Sequence, residues 1–167
     1  SRYLGKSEVQ SEGTDVPQDE YVTHTSKEFS FEYPKNWFVE DSWETGGTPY
    51  LRVSNYDPAA LNNTPHPSGN YFKIEMWKAS DDGNLTLEEW IDKFMAENDP
   101  YPILIERKPI AIAGIQGIQQ IEDARPIQYR SIYIRENSSI YMWGIAPFSE
   151  KANEKILDHI LSSFLFK

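Results

Sequence analysis

Four segments with strand-like patterns follow one another along residues 103–146, and this succession constrains the fold more than any other feature. Alternation of apolar and polar residues predicts half-buried β-strands, because successive side chains point to opposite faces of a sheet. Short turns join the segments, and strands joined in this way pair antiparallel. The segments are 103–113, which we expect Pro109 to interrupt, then 118–122, 127–135 and 139–146, with Gly114 and Gly117 in the first hairpin turn.

Two amphipathic helices and three further strands complete the predicted elements. Strands are expected at 29–33, 50–56 and 70–77, with a proline-rich loop at 57–69. Thr86 and Glu89 have the spacing of a capping box, which predicts where the first helix begins. The last helix is expected to begin after the N-cap Ser149. Apolar residues at helical spacing form the stripes Leu87, Trp90, Ile91, Phe94 and Met95 in the first helix, and Ala152, Ile156, Leu157, Ile160 and Leu161 in the last.

Each amphipathic helix needs an apolar surface, and the segments 127–135 and 139–146 carry apolar residues on both faces. A sheet with two apolar faces can be covered by helices on both sides. The sequence therefore predicts one α+β domain over residues 28–167, in which a central antiparallel sheet is flanked by helices on both faces, an α/β/α sandwich. Residues 1–27 are polar and lack a period, so we expect a flexible N-terminal lead-in.

Charge and composition narrow the classes of partner. The chain has 16 Lys and Arg against 26 Asp and Glu, a net charge of -10. Binding to nucleic acid or to an anionic membrane surface requires clustered basic residues, so neither is expected. No apolar run approaches the roughly 20 residues that span a bilayer, so no direct membrane insertion is expected. The charge indicates solubility first, and a cationic partner or a divalent ion second.

A search for catalytic or metal-binding motifs finds none. The chain has no cysteine, which removes thiolate chemistry, and its histidines His24, His66 and His159 are far apart in sequence. No H-E-x-x-H, EF-hand, phosphate-binding loop or G-x-S-x-G pattern is present. We therefore predict no catalytic residues, no metal ligands, no cofactor and no enzymatic activity. The binding surface that we expect is the 57–69 loop with its neighbours, through Asp57, His66 and Tyr71.

Seven aromatic residues allow two interpretations. Large aromatic side chains most often belong to the core, because each buries about 150–250 Å². The same residues could instead line a groove for a sugar or a peptide. They are Trp37, Trp77, Trp90, Trp143, Tyr129, Tyr133 and Tyr141.

Several motifs together resemble the PsbP-like superfamily. They are the first strand running into Tyr-Pro-x-x-Trp (Phe29 to Trp37), the helix sequence LTLEEWIDKFM, the hairpin from Ile112 to Gly117, and the closing helix that ends at Ile160 to Phe164. This superfamily includes the extrinsic protein of photosystem II, and a Ran-binding nuclear import factor shares its fold. The resemblance implies an antiparallel sheet between helices.

The resemblance also implies a function. We expect a non-enzymatic accessory or binding domain with a protein partner, located outside the cytoplasm as an exported or lipid-anchored protein, with any anchor upstream of Ser1. The resemblance identifies no ligand residue, and the 57–69 loop lies outside the shared pattern. The first alternative is a divalent-cation-binding protein that uses surface carboxylates. A hydrolase is the lowest alternative.

Overall fold

The computed structural model of the chain describes residues 20–65, 67, 70–98, 102–148 and 153–167. In these residues the chain forms ten strands, two α-helices and a 3-10 turn at Ala59–Leu61. In chain order the elements are β1 (Tyr21–Thr25), β2 (Phe29–Pro34), β3 (Phe38–Asp41), β4 (Tyr50–Ser54), β5 (Lys73–Ser80), α1 (Leu87–Glu97), β6 (Ile103–Ile112), β7 (Ile115–Asp123), β8 (Gln128–Glu136), β9 (Ser139–Ala146), α2 (Glu154–Ser162) and β10 (Leu165–Phe166).

Two antiparallel sheets organise these strands. The larger sheet has seven strands in the order β3-β4-β5-β9-β8-β7-β6, and the smaller has three in the order β1-β2-β10. The four consecutive strand segments of the sequence are β6 to β9, and each pairs with its neighbour in the chain. The predicted antiparallel α+β class is therefore confirmed.

The main core lies between the first face of the seven-stranded sheet and a layer made of the small sheet and α2. Phe29 and Phe31 of β2 and Phe164, which follows α2, are almost completely buried there and stack on one another. Trp143 of β9 meets the Phe164 ring edge-on, with 5.2 Å between ring centroids. Burying a side chain of this size stabilises a fold by about 1.5–3 kcal/mol, so this cluster holds the two sheets together.

The second face of the seven-stranded sheet is covered only in part, by α1. Ile91 is buried against Tyr133 of β8 and Ile140 of β9. The rest of the predicted apolar stripe of α1 is partly buried around these three residues. Helix α1 lies against this face, whereas α2 packs on β2 of the small sheet, so the predicted sandwich of one sheet between two helices is not confirmed. A single sheet between helices, as we predicted, is therefore an incomplete description of the fold.

The lead-in prediction for residues 1–27 is wrong for the part that forms β1. This strand pairs antiparallel with β2, with Val22 opposite Tyr33. The Tyr21 ring stacks on His159 of α2 at a centroid distance of 3.7 Å. The segment YVTHT contains Tyr, Val and two Thr, which favour strands, but it lacks an apolar alternation, and pairing with β2 fixes it as a strand. Residues 1–19 lie outside the described part of the chain.

The β6–β7 hairpin differs from its prediction in two respects. Pro109 does not interrupt β6, because this is an edge strand and the missing N–H of proline can face away from β7. Gly117 lies within β7 and not in the turn. The turn consists of Ala113 and Gly114, with φ angles of 54° and 77°. Positive φ at both residues is typical of two-residue hairpin turns, whose twist matches that of the strands.

The two helices compare differently with their predictions. The capping box of α1 is confirmed, since the Glu89 N–H donates to Thr86 Oγ1 (3.1 Å) and the Thr86 N–H donates to Glu89 Oε1 (2.9 Å). The expected start of the last helix is wrong, because α2 begins at Glu154 with Asn153 as its N-cap. Ser149 lies outside the described residues. No helix in the described part of the chain is long and apolar enough to cross a bilayer.

Candidate functional site

An open cavity of 660 Å³ lies on the second face of the seven-stranded sheet, beside the C-terminal end of α1. We call it the sheet groove. The last turn of α1 contributes Phe94 and Asn98 to its wall, and Pro102 precedes β6 at its rim. The floor consists of side chains and backbone from β5, β9, β8 and β7, namely Glu75, Trp77, Glu122, Tyr129, Ser131, Tyr133, Met142 and Gly144.

Strand register places these residues on one face. Residues directly opposite each other in an antiparallel pair project to the same side of the sheet. Trp77 lies opposite Met142, and Met142 lies opposite Tyr133. Likewise, Glu75 and Ser131 both lie opposite Gly144. The floor of the groove is therefore a continuous patch across neighbouring strands that are far apart in the sequence.

The Trp77 ring lies against the backbone of β9 at Gly144. A Cβ atom built on Gly144 would be 3.2 Å from Cζ3 of Trp77, closer than most Cβ contacts in proteins. On the other side, the Tyr50 ring of β4 lies 5.9 Å from the Trp77 ring, centroid to centroid. The absence of a side chain at residue 144 thus allows Trp77 to lie low in the groove.

Glu75 has its charge compensated within the sheet. Its carboxylate accepts a hydrogen bond from the Tyr50 hydroxyl at 2.5 Å and pairs with Lys73 Nζ at 3.0 Å. Burial raises the pKa of Tyr50 well above its ordinary value, and the hydrogen bond to Glu75 raises it further. Tyr50 therefore remains a neutral donor at physiological pH.

Glu122 is in a different electrostatic position. Only 5% of the residue is exposed, and its carboxyl group accepts a hydrogen bond from Gln120 Nε2 at 2.8 Å. It also forms hydrogen bonds with the hydroxyls of Ser131 and Tyr133. Burial raises the pKa of Glu122 despite these bonds and the nearby Arg107, because desolvation penalises the charged form.

Arg107 is the cation whose charge acts on Glu122, but its guanidinium group forms its hydrogen bonds with other residues. Its Nε donates to Gln120 Oε1 and its Nη2 to Asp92 of α1, both at 2.6 Å. Among the described residues, no Lys, Arg or His side chain forms an ion pair with Glu122. Glu122 is thus a buried carboxyl group, bonded to neutral donors, that faces a cavity.

Comparison with known proteins identifies the fold. No protein-family model matches the sequence, and no curated protein sequence matches it. The chain is similar to the solution structure of cyanobacterial PsbP (CyanoP) from Synechocystis, with a TM-score of 0.58 over 91% of this chain and 95% of that chain. The chain has a PsbP-like fold. At 11% sequence identity the likeness concerns the fold alone, and it confirms at that level the resemblance seen in the sequence motifs.

A second solved structure shares less of the architecture. It is a protein of unknown function from Pseudomonas aeruginosa, with 11% identity, a TM-score of 0.42, and coverage of 75% of this chain and 81% of that chain. Nothing further is inferred from it for the PsbP-like domain.

The residues that the sequence predicted as a binding site do not line the sheet groove. Asp57 Oδ1 accepts a hydrogen bond from the Ala59 N–H at 3.0 Å, and Asp57 borders a separate hollow of 210 Å³ beside β3 and β4. The Tyr71 ring meets Tyr56 edge-on at 5.3 Å, away from that hollow's lining. His66 lies outside the described residues. A binding site formed by these three residues stays a prediction.

The other two histidines each bind one carboxylate. His24 Nε2 lies 2.7 Å from Asp41 Oδ2, and His159 Nε2 lies 2.7 Å from Glu32 Oε1. Among the described residues, no three His, Asp or Glu side chains converge as metal ligands would. Cation binding by surface carboxylates also stays a prediction.

Sequence reasoning found part of the sheet groove. Of the seven aromatic residues that could line a groove, the structure places Trp77, Tyr129, Tyr133 and Trp143 along it, although the Trp143 ring itself packs against Phe164 in the main core. Sequence reasoning missed Glu75 and Glu122. A signal was present in β7, an inner strand paired on both edges, where the polar residues Gln120 and Glu122 stand at alternate positions on either side of Ile121. Two buried polar residues at alternate positions of an inner strand indicate a polar cluster on one face.

Proposed function

We propose that this PsbP-like domain is a non-enzymatic accessory domain that binds its partner in the sheet groove. The observation that carries the proposal is the groove itself, in which aromatic rings surround a buried carboxyl group that has no ion-pair partner in the part of the chain that the structure describes. Ligand sites are commonly concave, mainly apolar cavities of about 300–1,000 Å³ with few polar groups. The groove, at 660 Å³, is within this range.

The chemistry of the groove supports binding over catalysis. The Ser131 hydroxyl is hydrogen-bonded to an acid, Glu122, but no histidine lines the groove among the described residues to act as its base. The floor strands β8 and β9 each pair with a strand on both sides. Their backbone N–H groups are therefore used by the sheet and cannot form an oxyanion hole. An extracytoplasmic location with a protein partner is part of the proposal, and the PsbP-like fold supports it.

A chemical-shift titration tests the proposal. A fragment library that contains amines, sugars and short peptides is added to ¹⁵N-labelled protein. Bound compounds should shift the Trp77 indole N–H and the amides of Met142 and Gly144, and Trp77→Ala should abolish these shifts. Phe38→Ala, which removes an exposed ring outside the groove, is the control.

Two results would contradict groove binding. Compounds that shift only residues of the 57–69 loop would favour the site with Asp57 and His66. A library that shifts no groove residue at all would remove the support for a binding role of this face.

A further inference from the structure

Among the described residues, the charged groups around the sheet groove leave one carboxyl group without an ion-pair partner. Glu75 is neutralised by Lys73. Lys78 contributes to the lining, but its ammonium group binds Glu28 at 2.8 Å on the other face of the sheet. Arg107 is held by Asp92. Of the charged groups described around this cavity, Glu122 is therefore the one that would be uncompensated when ionised.

The surroundings of Glu122 suit an organic cation. Tyr129 lies directly opposite Glu122 in the sheet, and Tyr133 hydrogen-bonds to it. Trp77 lies on the same floor. Ammonium and guanidinium groups are attracted to the faces of aromatic rings, more strongly where water is excluded. A buried carboxylate is costly unless it is paired, so a bound cation would stabilise its charged form.

We infer that the sheet groove binds a lysine or arginine side chain of a protein partner, with the cationic head at Glu122 and the aliphatic stem along Trp77. The inference rests on the proposed function and adds the chemistry of the ligand. Charge complementarity selects this occupant, since an anionic group would meet the ionised carboxylate of Glu122, whereas a cationic group would pair with it. The net charge of -10 also attracts a basic partner over longer distances.

Affinity for the cation should increase with pH. Among the titratable groups of the described elements, Arg107 of β6 acts on Glu122 through its charge and Tyr133 of β8 hydrogen-bonds to it, while Tyr129 of β8 lies opposite it and Glu75 of β5 lines the same groove. Burial raises the pKa of both tyrosines, which therefore stay neutral. As the pH rises through the raised pKa of Glu122 its carboxyl group ionises, and the ionised form is the one that pairs with the ligand.

The experiment uses peptides as probes. The peptide acetyl-Gly-Gly-Lys-Gly-Gly-amide is titrated into labelled protein, together with the same peptide carrying Nε-acetyl-lysine. We expect the lysine peptide to shift the Trp77 and Tyr129 resonances, and the acetylated peptide to bind roughly tenfold more weakly, since acetylation removes the charge. Lowering the pH through the range where Glu122 becomes protonated should weaken binding of the lysine peptide and leave binding of the acetylated peptide unchanged.

Variants separate the roles of the residues. Glu122→Gln and Trp77→Leu should each weaken binding of the lysine peptide roughly tenfold, as expected for a lost ion pair or a lost cation–π contact. Glu106→Gln, which removes an exposed carboxylate outside the groove, should leave its affinity unchanged. Equal binding of the two peptides, or unchanged binding to Glu122→Gln, would overturn the inference.

The outcomes also distinguish this inference from the proposed function. If uncharged fragments shift groove residues and the lysine peptide does not, the groove binds a ligand and the cationic assignment is wrong. If neither probe shifts groove residues, both proposals fail. Tighter binding of n-butylammonium than of the peptide would overturn the assignment to a protein segment and indicate a small free amine.

Discussion

At the scale of single residues, Glu122 shows how burial couples the candidate site to stability. Its pKa is raised above 4.5, so the native state retains a proton that the unfolded chain releases. Stability contributed by this group therefore falls as the pH rises from about 4.5 through the native pKa.

We predict that Glu122→Gln removes this pH dependence. Between about pH 4 and about pH 8, the free energy of unfolding of the variant should rise relative to the natural chain and then level off. Urea unfolding followed by tryptophan fluorescence measures the difference, and Glu106→Gln is the control for loss of an exposed carboxylate. Parallel pH profiles for the natural chain and Glu122→Gln would contradict the raised pKa.

Gly144 supports a second prediction at this scale. Gly144→Ala should push the Trp77 ring away from β9 and cost about 1–3 kcal/mol, the usual range for overpacking a close contact. The Trp77 emission should shift as the ring moves. In a Trp77→Leu background the same substitution should cost clearly less, because the two residues are in contact. An equal cost in both backgrounds would show that the glycine does not act through the ring.

At the scale of elements, α1 forms one wall of the sheet groove, so its N-terminus matters for the candidate site. The Thr86 hydroxyl accepts the Glu89 N–H, and the Glu89 carboxylate accepts the Thr86 N–H. The second bond holds the pKa of Glu89 below its ordinary value. Each half of the box satisfies a backbone donor that the helix itself leaves without an acceptor.

Thr86→Ala should therefore destabilise the domain by about 1 kcal/mol, the typical cost of losing an N-cap side chain. In this variant, hydrogen exchange of the α1 amides should accelerate more than that of the amides of the inner strands β8 and β9. Thr86→Ser retains the hydroxyl and serves as the matched control. Equal exchange rates in the alanine and serine variants would indicate that packing alone holds the start of α1.

At the scale of the whole molecule, Glu28 connects the two sheets. It directly precedes β2 of the small sheet and accepts hydrogen bonds from Trp43 Nε1 (2.9 Å), Lys78 Nζ (2.8 Å) and the Tyr141 hydroxyl (2.6 Å). Lys78 and Tyr141 belong to β5 and β9 of the large sheet. Burial alone would raise the pKa of Glu28, but the hydrogen bonds from Lys78, Tyr141 and Trp43 together lower it below 4.5.

A lowered carboxylate pKa adds stability that is present above the unfolded pKa and is lost as the pH falls through the native one. Glu28→Gln should thus lower the free energy of unfolding by about 1 kcal/mol at neutral pH, a modest value because Glu28 is partly exposed. The difference should shrink below about pH 4, where the natural carboxylate is protonated. Urea unfolding over this pH range measures it, and a difference that does not change with pH would contradict the prediction.

The elements with strong local signals could be predicted from the sequence. The β8–β9 hairpin and the apolar stripe of α1 follow from periodicity, and α1 also from its capping box. The same holds for the stripe of α2 except at Ala152, which lies outside the described residues. The short strands β1, β3 and β10 contain five, four and two residues, and pairing with neighbouring strands decides their structure. The candidate site was only partly predictable. Glu122 and Trp77 line the same groove because of how strands β5, β9, β8 and β7 pair, and the pairing of β5 with β9 is not evident from the sequence.

The sequence by itself determined the secondary structure of the strongest segments and the antiparallel pairing of adjacent strands, because both depend on residues close together in the chain. Tertiary structure decided that the strands divide into two sheets, and that α1 leaves part of one sheet face open. It also decided that a carboxyl group is buried in that opening, since burial depends on what packs around a residue. Local patterns report the polarity of a side chain, whereas only the assembled sheets determine how much water reaches it.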